Sequence, residues 1–225
     1  MAREKQGETM AALVVGVTGF AGSGKDTFAD YLVEHYGFTK ISLSYPLKKV
    51  CGEIFDFTEQ QLWGSSKHRE IPDERYVFSG KCPSCHSKCR SREESRDWYC
   101  FSCDTSYGQY ITPRLALQTL GTEWGRTLFE DIWVDMTLRE IQKSGSGRWV
   151  IPDVRFHNEL NKLRTHGTHL VRLLRGEQRF AHPSEAEMAT MTPDMFDAVL
   201  DNTSTIDVLH KLADGVMENL GCKYE

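Results

Sequence analysis

Apolar positions in this chain fall into two kinds of run, unbroken stretches of four to six residues and longer stretches with helical spacing. The two kinds alternate along most of its length. Leu13 to Val17 is unbroken and closed by Thr18-Gly19, which predicts a buried strand. After a glycine-rich turn, Asp26 to Tyr36 places Phe28, Ala29, Leu32 and Val33 at helical spacing. Thr39 to Leu43 predicts a second strand, and Pro46 opens a helix that carries Leu47, Val50, Ile54 and Phe55 inward. Further on, Thr112 is placed as an N-cap with Pro113 at the first helical position. Residues 131–142 predict a helix with Ile132, Met136 and Ile141 inside. Strands follow at 148–151, 168–174 and 197–200, with a helix over 156–166 closed by Gly167. The last helix, 205–220, turns Ile206, Leu209, Leu212, Val216 and Leu220 inward. Strands alternating with helices predict an α/β fold, a parallel sheet flanked by helices on both faces.

From Gly64 to about Tyr110 the pattern breaks into charges and cysteines with few aliphatic residues, which marks an insertion. The expected organisation is a core of 11–63 with 111–225, an insertion over 64–110, and a polar, disordered tail over 1–10. A chain of 225 residues, 40% hydrophobic and 26% charged, has room for one large core and a small module. Its net charge of −5 argues against a protein that coats nucleic acid, while leaving room for a local basic site. No apolar run approaches the roughly 18 residues of a membrane span, and Met1 to Met10 lacks the apolar centre of a signal peptide. A cytoplasmic protein is expected.

Gly19-Phe20-Ala21-Gly22-Ser23-Gly24-Lys25-Asp26-Thr27 fits G-x4-G-K between a strand and a helix. The glycines let backbone amides wrap phosphate oxygens at a helix N-terminus. Lys25 is placed to reach the outer phosphates. Asp26 stands where Ser or Thr usually follows the lysine, so Thr27 is the hydroxyl left for a magnesium ion; Asp26 either acts through a water or caps the helix. GTPases carry N-K-x-D, whereas the Asn-Lys here runs Asn161-Lys162-Leu163-Arg164. Motor ATPases close an apolar strand with Asp-Glu, whereas Trp149-Val150-Ile151-Pro152-Asp153 ends in a single Asp near Arg155. A kinase of a small molecule fits better.

Five of the seven cysteines lie within 82–103. Cys82-x2-Cys85 and Cys100-x2-Cys103, separated by 14 residues, form two turns that complete a four-thiolate zinc site with no open position, hence structural. His86 and Cys89 are spare donors, read as bystanders. Three roles for the ribbon follow. Trp98, Tyr99, Phe101 and Tyr107 with Lys88, Arg90, Arg92 and Arg96 suit nucleic acid. The same rings suit the core of a small module. A lid whose cations close over phosphates is the preferred reading.

Gly22 to Thr27, Tyr45-Pro46-Leu47-Lys48, Pro113-Arg114 with Gln118-Thr119-Leu120-Gly121-Thr122-Glu123, Asp153-Val154-Arg155-Phe156 with Asn158-Glu159, and His182-Pro183-Ser184-Glu185 together resemble the bacteriophage deoxynucleoside monophosphate kinases. The order holds over nearly the whole chain apart from the tail and the ribbon, and the ribbon departs from the simplest members. The resemblance implies a P-loop kinase fold, ATP as donor, Mg²⁺, and a 2′-deoxynucleoside 5′-monophosphate as acceptor. It also implies a homodimer with small nucleotides as partners, supplying dNTPs in a bacterial cytoplasm.

Phosphoryl transfer asks chiefly for positioned cations. Lys25 is assigned to the donor phosphates and Arg114 to the acceptor phosphate, against the plainer reading of a surface arginine. Arg155 lies just past a strand end, where ligands gather in open sheets, and Asp153 orients Mg²⁺ or its water unless it merely caps a helix. Lys48, Arg69 and Arg175 are further phosphate candidates, and Gln118 is a reader of the base edge. His182 is either a ligand or a structural histidine, Asn202 borders the adenine or forms a turn, and Trp124 is assigned to core packing over base stacking. Two rivals stand: a P-loop kinase of another small acceptor, and a nucleic-acid-binding ATPase that uses its ribbon.

Overall fold

The computed structural model describes residues 12–92, 97–176 and 183–224, without the side chains of 183–185. The expected tail, Arg96 and His182 lie outside these residues. In chain order the elements are β1 (Leu13–Thr18), α1 (Lys25–Tyr36), β2 (Phe38–Lys40), α2 (Tyr45–Phe55), α3 (Glu59–Trp63), α4 (Ser66–Glu70) and β3 (Asp73–Val77). Then come β4 (Arg90–Ser91), β5 (Trp98–Cys100), β6 (Thr105–Tyr107), β7 (Tyr110–Ile111), α5 (Pro113–Gln118), a π-helical stretch (Thr119–Arg126) and α6 (Ile132–Lys143). The chain closes with β8 (Arg148–Ile151), α7 (His157–Thr165), β9 (His169–Leu174), α8 (Pro183–Ala189), a 3-10 turn (Pro193–Met195), β10 (Ala198–Asp201) and α9 (Ile206–Asn219).

Two compact units divide the chain. The first comprises the residues up to Leu43 and from Val134 onward; the second spans Ser44–Trp133 and so extends beyond the expected 64–110 insertion on both sides. In the first unit five parallel strands run in the order β10-β9-β1-β8-β2. Alternation along β1 sorts its side chains: Val15 and Val17 join a core with Phe28, Leu32, Leu209 and Val216 from α1 and α9. Gly16 faces the other way, where a Cβ would lie 3.0 Å from Leu170 and 3.5 Å from Leu163 of α7. Each fully buried leucine or phenylalanine of this core adds about 1.5–3 kcal/mol.

Several expectations shift. The second strand is only Phe38–Lys40, because Ser42 and Leu43 turn to hydrogen-bond Asp153. Ile54 is exposed, and α2 buries Pro46, Leu47 and Cys51 instead. In α6 the buried face is Trp133, Val134, Thr137, Leu138 and Ile141; Ile132 and Met136 are only half-buried. In α9 Ile206 is exposed, while Ala213 and Met217 take core positions. The two glycines of the π-helical stretch, which winds wider than an α-helix, have a steric reason. A Cβ on Gly121 would come 2.7 Å from Leu47, and one on Gly125 would come 2.7 Å from Trp133.

The second unit holds the antiparallel pair β3–β7 and the three-stranded antiparallel sheet β4-β5-β6. Its ribbon core is small: Phe78, Cys82, Cys89 and Cys100, with Trp98, Tyr107 and Leu115 packed against them. Thr112 caps α5 as expected, its Oγ1 accepting from Leu115 N at 3.0 Å. Asp73 is buried and accepts from Arg75 Nε (2.9 Å), Arg75 Nη2 (2.8 Å) and Gln61 Nε2 (3.0 Å). The Arg75 hydrogen bonds hold its carboxyl well below the ordinary carboxylate range.

A carboxyl whose pKa is depressed by folding contributes stability that is complete above its unfolded pKa and lost as pH falls below it. Asp73→Asn should therefore lower the melting temperature at about pH 7, with the gap to wild type closing below about pH 4. A gap that stays constant across pH would show that the carboxylate charge contributes nothing.

Candidate functional site

The phosphate loop begins where β1 ends. Gly19, Gly22 and Gly24 adopt φ of 153°, 78° and 94°, so the turn needs residues without a Cβ. Added Cβ atoms at Gly19 and Gly24 would collide with the Leu173 carbonyl and with the Asn202 amide respectively, so neither position tolerates even alanine without displacement. Gly24 directly precedes α1, which opens at Lys25. Lys25 Nζ donates to Phe20 O at 2.8 Å and curls back over the loop. The buried Ser23 Oγ has no hydrogen-bond partner among the described residues. A ring of backbone N–H groups at a helix N-terminus, with a lysine beside it, is a fitted receptacle for a phosphate chain.

Three neighbours hold this loop. Asn202 is buried; its Nδ2 donates to Ser23 O at 2.9 Å, and its backbone N donates to Leu174 O at 2.8 Å. The amide is thus committed to the loop itself. Asp26 lies in the first turn of α1 but caps nothing, since the N-cap is Gly24; it pairs with Lys40 Nζ at 2.9 Å, which also reaches Asp30 at 2.9 Å. Burial would lower the Lys40 pKa, but the hydrogen bonds to Asp30 and Asp26 outweigh it and raise it. Thr27 is half-buried in the same turn.

Asp153 follows β8 and is no N-cap either, because α7 is capped at Phe156. Its Oδ2 accepts from Ser42 Oγ at 2.6 Å and its Oδ1 from Leu43 N at 2.8 Å. The carboxylate is fixed in orientation with lone pairs to spare for a metal-bound water. The buried Glu159 accepts from Arg155 N (2.8 Å) and Phe156 N (3.1 Å), which pins the backbone that presents Arg155. The Arg155 and Arg175 side chains are exposed, and neither forms an ion pair among the described residues. Arg172, missed in the sequence, is buried in β9 opposite Thr18; it donates to Met191 O, and to Met188 O at 3.3 Å. Its inward position in the strand alternation was the available signal.

The second unit carries a separate group of cations. Arg114 Nε donates to Glu70 Oε1 at 2.7 Å. Arg69 is held by Gly64 O (2.9 Å) and Leu62 O (3.3 Å), and its pKa is lowered by burial and then by the charge of Arg114. Two guanidinium groups near enough to feel each other's charge, with one carboxylate paired to Arg114, are an arrangement that a bound anion relieves. Lys48 Nζ lies 4.3 Å from the centre of the Trp63 ring, and Gln118 is exposed. Trp124 is half-exposed, not packed in the core; it lines a cavity of about 520 Å³ with Phe78, Pro83, Leu115 and Leu120.

The sulfurs of Cys82, Cys85, Cys100 and Cys103 lie within 4.8 Å of one another, and His86 and Cys89 are not members of this group. Cys82–Cys103 is 3.8 Å and Cys85–Cys100 is 3.5 Å. Four sulfurs about 2.3 Å from a tetrahedral zinc stand about 3.8 Å apart, so the donor set fits that metal. Among the described residues no helix is long and apolar enough to cross a membrane.

A parallel sheet whose first strand runs through such a loop into α1 is a P-loop kinase fold. The comparisons go further. A protein of Acanthamoeba polyphaga mimivirus with the provisional name deoxynucleotide monophosphate kinase is 28% identical over 221 residues, 92% of this chain and 97% of that protein. The deoxynucleoside-5′-monophosphate kinase of Escherichia phage T5 is 29% identical over 218 residues, 78% of this chain and 84% of the phage protein. No family model matches the chain. Among solved structures, a dephospho-CoA kinase from Campylobacter jejuni aligns at 12% identity with a TM-score of 0.44, covering 92% of this chain and 96% of that one.

Asn202→Ala removes the donor that holds Ser23 O and leaves a buried carbonyl unpaired. The expected cost is about 1–3 kcal/mol in chemical denaturation. Wild-type stability in this variant would show that the amide does not brace the loop.

Proposed function

We propose that the chain is a deoxynucleoside monophosphate kinase, transferring the γ-phosphoryl of ATP to a dNMP to give dNDP and ADP. The observation that carries the phosphotransfer is the loop of residues 19–25 at the end of β1, with its left-handed glycines and Lys25. The acceptor class is supported by the two viral relatives, whose names specify it. In the reaction an oxygen of the acceptor phosphate attacks the γ-phosphorus, and the bond to the β–γ bridging oxygen breaks with ADP leaving. The acceptor phosphate is already anionic, so the residues needed are cations rather than a strong base.

Lys25 leaves Phe20 O to hold the donor phosphates, and the loop amides take the remaining oxygens. Arg114 and Arg69 take the acceptor phosphate, with Glu70 exchanged for it; Lys48 and Gln118 are secondary contacts in the same unit. Arg155 and Arg175 remain to neutralise charge on the transferred group. Asp153, oriented by Ser42 and Leu43, would hold Mg²⁺ through a water, and Thr27 would offer it a hydroxyl; the ion would supply charge neutralisation. The four cysteines hold a structural zinc. The reading carries small nucleotides as partners, a homodimer, and dNTP supply for viral DNA synthesis in the host cytoplasm.

A panel of dNMPs, NMPs and unrelated acceptors such as dephospho-CoA, with ADP release as the readout, tests the assignment. Turnover with dNMPs is expected, and Lys25→Ala should cut it at least about a hundredfold without unfolding the chain. ADP release only with a non-nucleotide acceptor, or full activity in the lysine variant, would overturn it.

One zinc per chain is the expected metal content of purified protein. Cys82→Ser or a strong chelator should lower the melting temperature of the second unit, since metal binding and ribbon folding are the same equilibrium. Protein that folds and melts identically without zinc would refute the structural role.

A further inference from the structure

The ribbon's aromatic residues divide between two faces, and only one face is explained by packing. Along β5 the side chains alternate. Trp98 and Cys100 point inward, where Trp98 packs on Gly80 so closely that a Cβ there would lie 2.9 Å from the ring, and Tyr107 stacks on Phe78 at 4.9 Å. Tyr99 and Phe101 point the other way and are not part of the ribbon core. Phe101 is 67% exposed, so it adds little to the module's stability.

These two rings form an ordered surface. Tyr99 and Phe101 meet edge to face at 4.7 Å and 87°. β4 pairs antiparallel with β5, Arg90 opposite Tyr99, and this brings two guanidinium groups onto the same face. Arg92 sits over Tyr99 at 4.2 Å and Arg90 over Phe101 at 5.2 Å. Both arginines are exposed and neither forms an ion pair among the described residues. The carboxylate of Asp104 accepts from the Tyr99 hydroxyl at the ring edge.

We propose that this outer face of β4 and β5 binds single-stranded nucleic acid, with unpaired bases stacking on Tyr99, Phe101 and their guanidinium partners while the same arginines meet phosphates. Every base has a π-face, so a two-ring platform is tolerant of sequence. Guanidinium planes stack on bases as rings do and carry the charge that a phosphate backbone requires. A surface meant only for the phosphates of one nucleotide would need the cations and not the exposed rings. Duplex DNA hides its π-faces and offers this platform only backbone charge. The site is independent of the phosphotransfer assigned above.

The test uses the full, zinc-loaded chain and a labelled oligothymidylate of about 15 nucleotides, followed by fluorescence anisotropy. Binding is expected at about 50 mM salt and should weaken as salt rises. Phe101→Ala should weaken binding about tenfold while zinc content and the rate of ADP release stay at wild-type values. Arg90→Ala with Arg92→Ala should reduce the slope of log K against log salt by about 1.4, the value for two phosphate contacts on a single strand. Flat anisotropy would overturn the proposal, as would a zinc-loaded Phe101→Ala protein that binds like wild type. Equal affinity for duplex, or competition by ATP as effective as that of unlabelled oligonucleotide, would also overturn it.

Discussion

A phosphate loop has to keep several amides unpaired and aimed at an anion, although unpaired backbone groups at a buried turn favour collapse. Here the solution is bracing from outside the loop. Left-handed glycines set the curvature, the Leu173 carbonyl presses against Gly19, and the Asn202 amide crosses from the end of β10 to hold Ser23. Those braces exist only because β9 and β10 lie parallel to β1 and end at the same edge of the sheet. The five-strand order is thus the condition for the loop, and the buried valines of β1 are what keep that order in register.

The second unit meets a different constraint. Its ribbon strands are two or three residues long, and its core contains three cysteines and few aliphatic side chains. Apolar burial on this scale does not hold a module together unaided. A zinc in the four-cysteine cluster would supply the missing cross-link, and the short edges between those sulfurs match those of a tetrahedral site. Four thiolates would leave such a centre no open position.

The alternation of strands and helices, the loop, and the two cysteine turns were all legible in the sequence because each is a local pattern with a short repeat or fixed spacing. What escaped depended on partners far along the chain. Ser42 and Leu43 look like strand continuation until Asp153 draws them away. Ile54 and Ile206 fit an apolar stripe, yet each sits at the stripe's margin and faces solvent. Asn202 gave no sign of bracing a loop 179 positions earlier, and Asp26 read as a loop anomaly until Lys40 appeared beside it. The π-helical winding was foreshadowed only by two glycines, whose need becomes plain once Leu47 and Trp133 are in place.

The bond from Asn202 to Ser23 has a consequence for synthesis. The amide that holds the phosphate loop is made 179 residues after the loop itself. Until β10 and Asn202 have followed, the nascent chain has a glycine-rich segment without its clasp. Order in the loop therefore waits on β10, and a product truncated before that strand carries the phosphate-loop sequence without the buttress that shapes it.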